Sequence, residues 1–153
     1  MSGRSGRVDQ GMARAAAEIL GDGPISGPLR TRYRQLPVML HTTGLAATYA
    51  FVLSKTGGRN KALAEAYDRV ANGIRKHIAT RRLIPGCTEK TPPRDVLQAM
   101  GNCGGVTYAR ATAEITLLAG WLSRLAEARH QADAMAKATD AESGSSGKAE
   151  GKP

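Results

Sequence analysis

Apolar positions recur along most of this chain at steps of three and four, the period of an α-helix, and no stretch alternates with the period of a strand. Met12, Ala15, Ala16, Ile19 and Leu20 form a stripe that predicts a first helix over Val8 to Leu20, ended by Gly21 and the Gly23-Pro24 pair. A second helix starts near Pro28 or Leu29, since proline suits a first helical turn. Pro37 has no N–H to give and crowds the preceding turn, which predicts a kink or break there. The pattern resumes at Val38, and Gly44 marks a second weak point or a close helix contact. Leu45, Tyr49, Val52 and Leu53 continue at helical spacing, with Ala47, Ala50 and Phe51 on a neighbouring face. A segment apolar around so much of its circumference reads as a buried central helix.

The run KTGGRNK is a turn, with Asn60 placed to cap the next helix. That helix covers Lys61 to Thr80, its core stripe formed by Leu63, Ala66, Tyr67, Val70, Ile74 and Ile78. A loop, IPGCTEKTPPRD, leads to a short helix from Pro93 to Met100. After the break GNCGG, a long helix runs from Val106 to about Met135 on the stripe Ile115, Leu118, Leu122 and Leu125. The expectation is an all-α protein: one compact bundle of five or six helices over residues 7–135, with a Pro-kinked central segment. The Gly/Ser/Arg stretch 1–6 and the Gly/Ser-rich tail 136–153 cannot bury apolar surface and are expected to be disordered.

Composition sharpens this picture. Aromatics are only 4% of the chain while alanine supplies much of the apolar fraction, which favours helices over strands. The 153 residues suffice for one domain with a real core. The uncharged stretch Leu36 to Ser54 holds Pro37, His41 and four threonines or serines, so a buried helix fits it better than a membrane span. The N-terminus MSGRSGRVDQG lacks the apolar core of a signal peptide. Cys87 and Cys103 belong to no CxxC pair or zinc-like cluster and read as reduced thiols of a cytoplasmic protein.

Charge points to a partner. Twenty-two Lys and Arg against thirteen Asp and Glu give +9, a balance that attracts polyanions, nucleic acid first. Between Lys55 and Arg82 there are eight basic residues and only two acids, Glu65 and Asp68. Such a cluster suits a track for phosphates; its plain alternative is a solvated helix face. Few aromatics are placed for base stacking, since Tyr33 alone adjoins an arginine run and Tyr67 sits on a core stripe, so backbone contact is expected rather than base readout. The candidate phosphate contacts are Lys55, Arg59, Lys61, Arg75 and Lys76, with Arg110 and Arg124 on the last helix behind them.

Signs of catalysis are weak. SKTGGRNK lacks the order of a phosphate-binding loop, and GNCGG is better read as a helix break than as an anion site. His41, His77 and His130 fall on separate helices, and His41 reads as a hydrogen-bonded core or interface residue. Glu114, among apolar residues, is a general base or, more commonly, a salt-bridge partner. No cofactor, metal or catalytic residue is expected.

One order of motifs is recognisable: Leu36-Pro37, Gly44-Leu45, Thr48, Ala50-Phe51, Ser54-Lys55, then Tyr67, then YARATAEITLLAGWLSRLAEA from Tyr108 to Ala128. Over Leu29 to Arg129 the chain resembles the small subunit of type III-B CRISPR effector complexes, the Cmr assembly. It departs from the pattern at Thr43, where asparagine is expected, and in the loop from Ile84 to Pro93. The resemblance implies a small helical bundle with the LP…GL…AF…SK segment buried at its centre. It also implies a non-catalytic subunit in antiviral defence. Its partners would be copies of itself in a short filament, the backbone subunits with their guide RNA, the large polymerase-like subunit, and target RNA in the groove they share. A free-standing helical nucleic-acid-binding regulator and a purely protein–protein adaptor are the alternatives.

Overall fold

The computed structural model describes residues 2–146. Among them there are six helices and no strand: α1 (Ser2–Leu20), α2 (Gly27–Thr43), α3 (Leu45–Ser54), α4 (Lys61–Thr80), α5 (Pro93–Asn102) and α6 (Gly105–Ser146). None of these helices is long and apolar enough to cross a membrane.

The core is built around the α2–α6 pair, the most extensive packing in the molecule. Leu29, Tyr33, Leu36 and Leu40 recur at four- and three-residue steps on α2 and are buried. Ala111, Ile115, Leu118, Leu122 and Ala126 form the matching row on α6. Each fully buried Leu or Ile of these rows contributes about 1.5–3 kcal/mol. α1 lies against α6 and α4, and α4 also packs on α3. Local signals start the helices where the sequence puts them. Leu29 N–H donates to the Ser26 hydroxyl at 3.3 Å, and Leu63 N–H donates to the Asn60 side chain at 3.2 Å.

The structure departs from the sequence pattern at three places. Of the kink or break expected at Pro37, the break does not occur: α2 continues through it to Thr43, and the chain breaks at the second expected weak point, Gly44, at φ +88°. A proline ring accepts a helical φ, and burial of Tyr33, Leu36 and Leu40 around it offsets the one backbone bond it forfeits. Nor is the apolar segment buried all round. Val38, His41, Thr42, Thr43, Ala47 and Ala50 are exposed, so α2 and α3 present one face to the core and one to solvent, and His41 is no core residue. Lastly, the flanks expected to be disordered are helical over residues 2–6 and 136–146, while Met1 and residues 147–153 lie outside the described residues. Extending an existing helix adds a backbone bond for each residue fixed, so a packed helix can propagate beyond its last buried side chain.

Gly44 turns the chain between α2 and α3 and leaves the start of α3 without a side-chain cap of its own. Tyr108 of α6 fills that role: the Ala46 N–H donates to its hydroxyl at 3.0 Å. A Cβ on Gly44 would stand 3.1 Å from the same oxygen. The GL turn and the tyrosine of YARATAEITLL thus form one corner of the fold, closed by a bond between Ala46 and Tyr108, 62 residues apart in sequence.

Candidate nucleic-acid interface

The seven predicted phosphate contacts do not form a single patch. Lys55, Arg59 and Lys61 gather at the α3–α4 turn and are all exposed. Arg59 and Lys61 line a shallow hollow there with Glu65, Asp68 and Arg69. No ion pair engages Lys55, Arg59 or Lys61 among the described residues. The Lys55 ammonium stands 5.4 Å from the Phe51 ring centroid, close enough for a cation–π attraction that holds the side chain beside α3.

Arg75 and Lys76 sit near the far end of α4, 14 and 15 residues beyond Lys61 and so about 21–22 Å along the axis at 1.5 Å per residue. Adjacent positions on a helix diverge by 100°, and these two do. Arg75 lies on the α3 side, near enough to Tyr49 to oppose the rise that burial imposes on its phenol, and donates to the Asn72 side chain at 3.0 Å. Lys76 faces α1 and pairs with Glu18 at 3.5 Å. Arg110 and Arg124 are exposed on α6, and Arg124 stands 6.0 Å from the Trp121 ring.

The arginine run of α2 is largely committed within the fold. Arg34 pairs with Glu127 of α6 at 3.1 Å and Arg30 approaches the same carboxylate at 3.6 Å, while Arg32 is exposed. Partial burial pushes the Glu127 carboxyl up, but hydrogen bonds from Gln131 and Arg34, with the charges of Arg30 and Arg34, outweigh it and hold the group below 4.5. Tyr33, the aromatic beside this run, is buried and offers no stacking face. Burial raises its hydroxyl above 10, against the opposing pull of Arg69 and Arg129.

Two features were not legible in the sequence. One is a cluster joining α4 to α6. Glu114 accepts from Arg81 at 2.5 Å and stands 3.3 Å from His77 Nε2. His77 and Glu114 are only 9% and 17% exposed, so this is the salt-bridge outcome for Glu114. Burial lowers the imidazole below its ordinary 6.5 and the Glu114 carboxylate only partly restores it. His77 and Glu114 are 37 positions apart, so only the packing of their helices reveals the pair.

The other feature is a groove of about 650 Å³ between α1 and α4, with Glu114 at its back. Its cationic rim includes Arg7, Arg14, Arg69 and Arg81, none of them among the predicted contacts. Arg69 and Arg81 belong to the basic run after Lys55, whereas Arg7 and Arg14 show themselves only through a seven-residue spacing on a helix that begins earlier than the hydrophobic stripe indicates.

Comparison with known proteins gives one result. The family model described as "CRISPR-associated protein (Cas_Cmr5)" matches residues 9–129, a span that takes in the α2–α6 core, the Gly44–Tyr108 corner and all seven basic positions. Neither the curated proteins nor the solved structures compared with the chain gave a match. The matched span covers most of the sequence and every packed helix, and the chain belongs to the Cas_Cmr5 family of CRISPR-associated proteins, subunits of type III-B complexes.

Proposed function

We propose that this subunit is a non-catalytic structural part of the RNA-guided complex, stacking with copies of itself into a short filament and lining the target-RNA groove with basic side chains. Family membership makes other Cmr subunits its partners. The observation that carries the RNA role is the α3–α4 turn: Lys55, Arg59 and Lys61 are exposed, close in sequence, free of ion pairs among the described residues, and set on a chain of net charge +9. Unneutralised cations on a tight turn suit a phosphate backbone, and the scarcity of exposed aromatic rings near them fits a track that reads no bases. Sequence recognition is then left to the guide, as in other RNA-guided effectors.

Support for stacking comes from α6. Val106 and Leu117 are 78% and 60% exposed, and with Met135 they fall near whole numbers of turns apart on one side of the helix. Head-to-tail association of identical subunits leaves two different surfaces on each copy and builds an open stack. The two cysteines are free thiols, consistent with work in the reducing cytoplasm.

The test is the salt dependence of target-RNA binding by the reassembled complex. Lys55→Glu/Arg59→Glu/Lys61→Glu is expected to reduce the slope of log K against log salt by about 0.7 for each phosphate that is no longer neutralised, so by about 2 in the triple variant. An unchanged slope rejects the track. Arg110 and Arg124, reversed together, form the second arm of the same measurement.

A further inference from the structure

The α1/α4 groove has features that a phosphate track does not use. Met12 and Ile19 are buried under it and Ala15 is half-buried, so its floor is apolar. The helices touch at one end, where a Cβ on Gly73 would come within 2.2 Å of the Ile19 side chain. Towards the other end the rim is cationic. Both carboxylates of the groove are already engaged, Glu18 by Lys76 and Glu114 by Arg81 and His77, and Arg69 donates to the Ile19 carbonyl. Arg7 and Arg14 have no acidic partner among the described residues. Seven residues apart, they lie on one face of α1, about 10 Å from each other along the axis.

An apolar floor under an unneutralised basic edge complements a surface that is apolar and acidic at once. A nucleic-acid strand fits it poorly, because bases dock on aromatic platforms and the one ring lining this groove, that of His77, is held by Glu114. A small inorganic anion has no use for the floor. We infer that the groove docks an acidic amphipathic segment of another subunit of the complex. An apolar side chain of that segment sits over Ala15, and two carboxylates spaced about two helical turns apart meet Arg7 and Arg14. Arg69 lines both this groove and the α3–α4 hollow, but Arg7, Arg14 and Ala15 belong to α1 and not to that turn, so the inference does not depend on the RNA reading.

The experiment titrates the effector complex assembled without this subunit with the full-length chain. Arg7→Glu/Arg14→Glu changes only exposed side chains and is expected to weaken incorporation about tenfold or more, because like charges then face each other across the interface. Arg32→Glu/Arg94→Glu, an equal charge change on α2 and α5, is expected to incorporate like the parent. Ala15→Glu, checked for an unchanged urea midpoint, is expected to weaken incorporation as well. At saturating subunit, the salt slope for target RNA should be that of the parent complex. Unchanged incorporation of Arg7→Glu/Arg14→Glu overturns the inference. An equal loss in the Arg32/Arg94 control overturns it too, by making the effect one of net charge. A reduced RNA salt slope assigns the groove to RNA and also overturns it. Loss of the α3–α4 track with incorporation intact leaves it standing.

Discussion

At the scale of single residues, two glycines carry more of the fold than their composition suggests. Gly44 holds φ +88°, a region that L side chains rarely occupy, and the space where its Cβ would stand lies beside the hydroxyl that caps α3. Gly73 has ordinary helical geometry, and what forbids a side chain there is Ile19. The two effects at Gly73 oppose each other. Replacing a mid-helix glycine with alanine gains about 1 kcal/mol in propensity, whereas overpacking a close helix crossing costs about 1–3 kcal/mol. The clash is with branched atoms of a buried side chain rather than a flexible tip, so the cost prevails. Gly73→Ala is therefore expected to lower the urea midpoint, and Gly73→Ala with Ile19→Ala to lose less than the sum of the two single variants, because the truncated side chain no longer meets the new Cβ. A glycine inside a helical pattern is visible in sequence; the isoleucine that requires it is not.

At the scale of elements, the link between α4 and α6 has a pH dependence of definite sign. His77 is held below its ordinary value of 6.5 by burial, so the folded chain binds this proton less readily than the unfolded chain. Between the two values the unfolded state carries more protons, and stability therefore rises with pH. The contribution is fully present above pH 6.5 and is lost as pH falls through the lower, folded value. Urea midpoints measured from pH 7.5 to 5 are expected to fall over that window, with His77→Gln removing that part of the slope. A dependence on pH identical in the variant would mean that other groups set it. Buried faces also mark helix ends poorly. The stripe on α1 begins at Met12 and the stripe on α6 is spent by Ala126, so a reading tied to buried faces stops near them while the backbone helix runs on.

At the scale of the whole molecule, the packed body and the α6 extension contribute unequally. No residue from Ala134 to Gly144 is buried, while Arg129 and His130 still bond the carbonyls of Gly21 and Ile25 in the α1–α2 connection, the latter at 2.7 Å. A chain ending at Ala134 keeps those bonds and is expected to unfold within about 0.5 kcal/mol of the full chain, the range of surface changes. A larger drop by urea titration would show that the extension packs on the body. Charge is also distributed at this scale. Of the basic residues counted in the sequence, some hold the bundle together, as Arg30, Arg34, Arg69 and Arg81 do, and only the remainder are available to a partner.

The helical class, the stretches of chain that form helices, most of the core stripes and the family were all legible along one chain, because they follow from periodicity, capping residues and motif order; the boundary at Gly44 rather than Pro37 and the two outer ends were not. Only the tertiary structure decided which cations stand free, where Glu114 finds its partners, and that Arg7 and Arg14 overlook an apolar groove. Each of those is a matter of distance between residues far apart in sequence. A 3.6-residue period fixes which face of a helix is buried but not which helix covers it, and charge, unlike apolar burial, leaves no periodic trace by which its partner can be read.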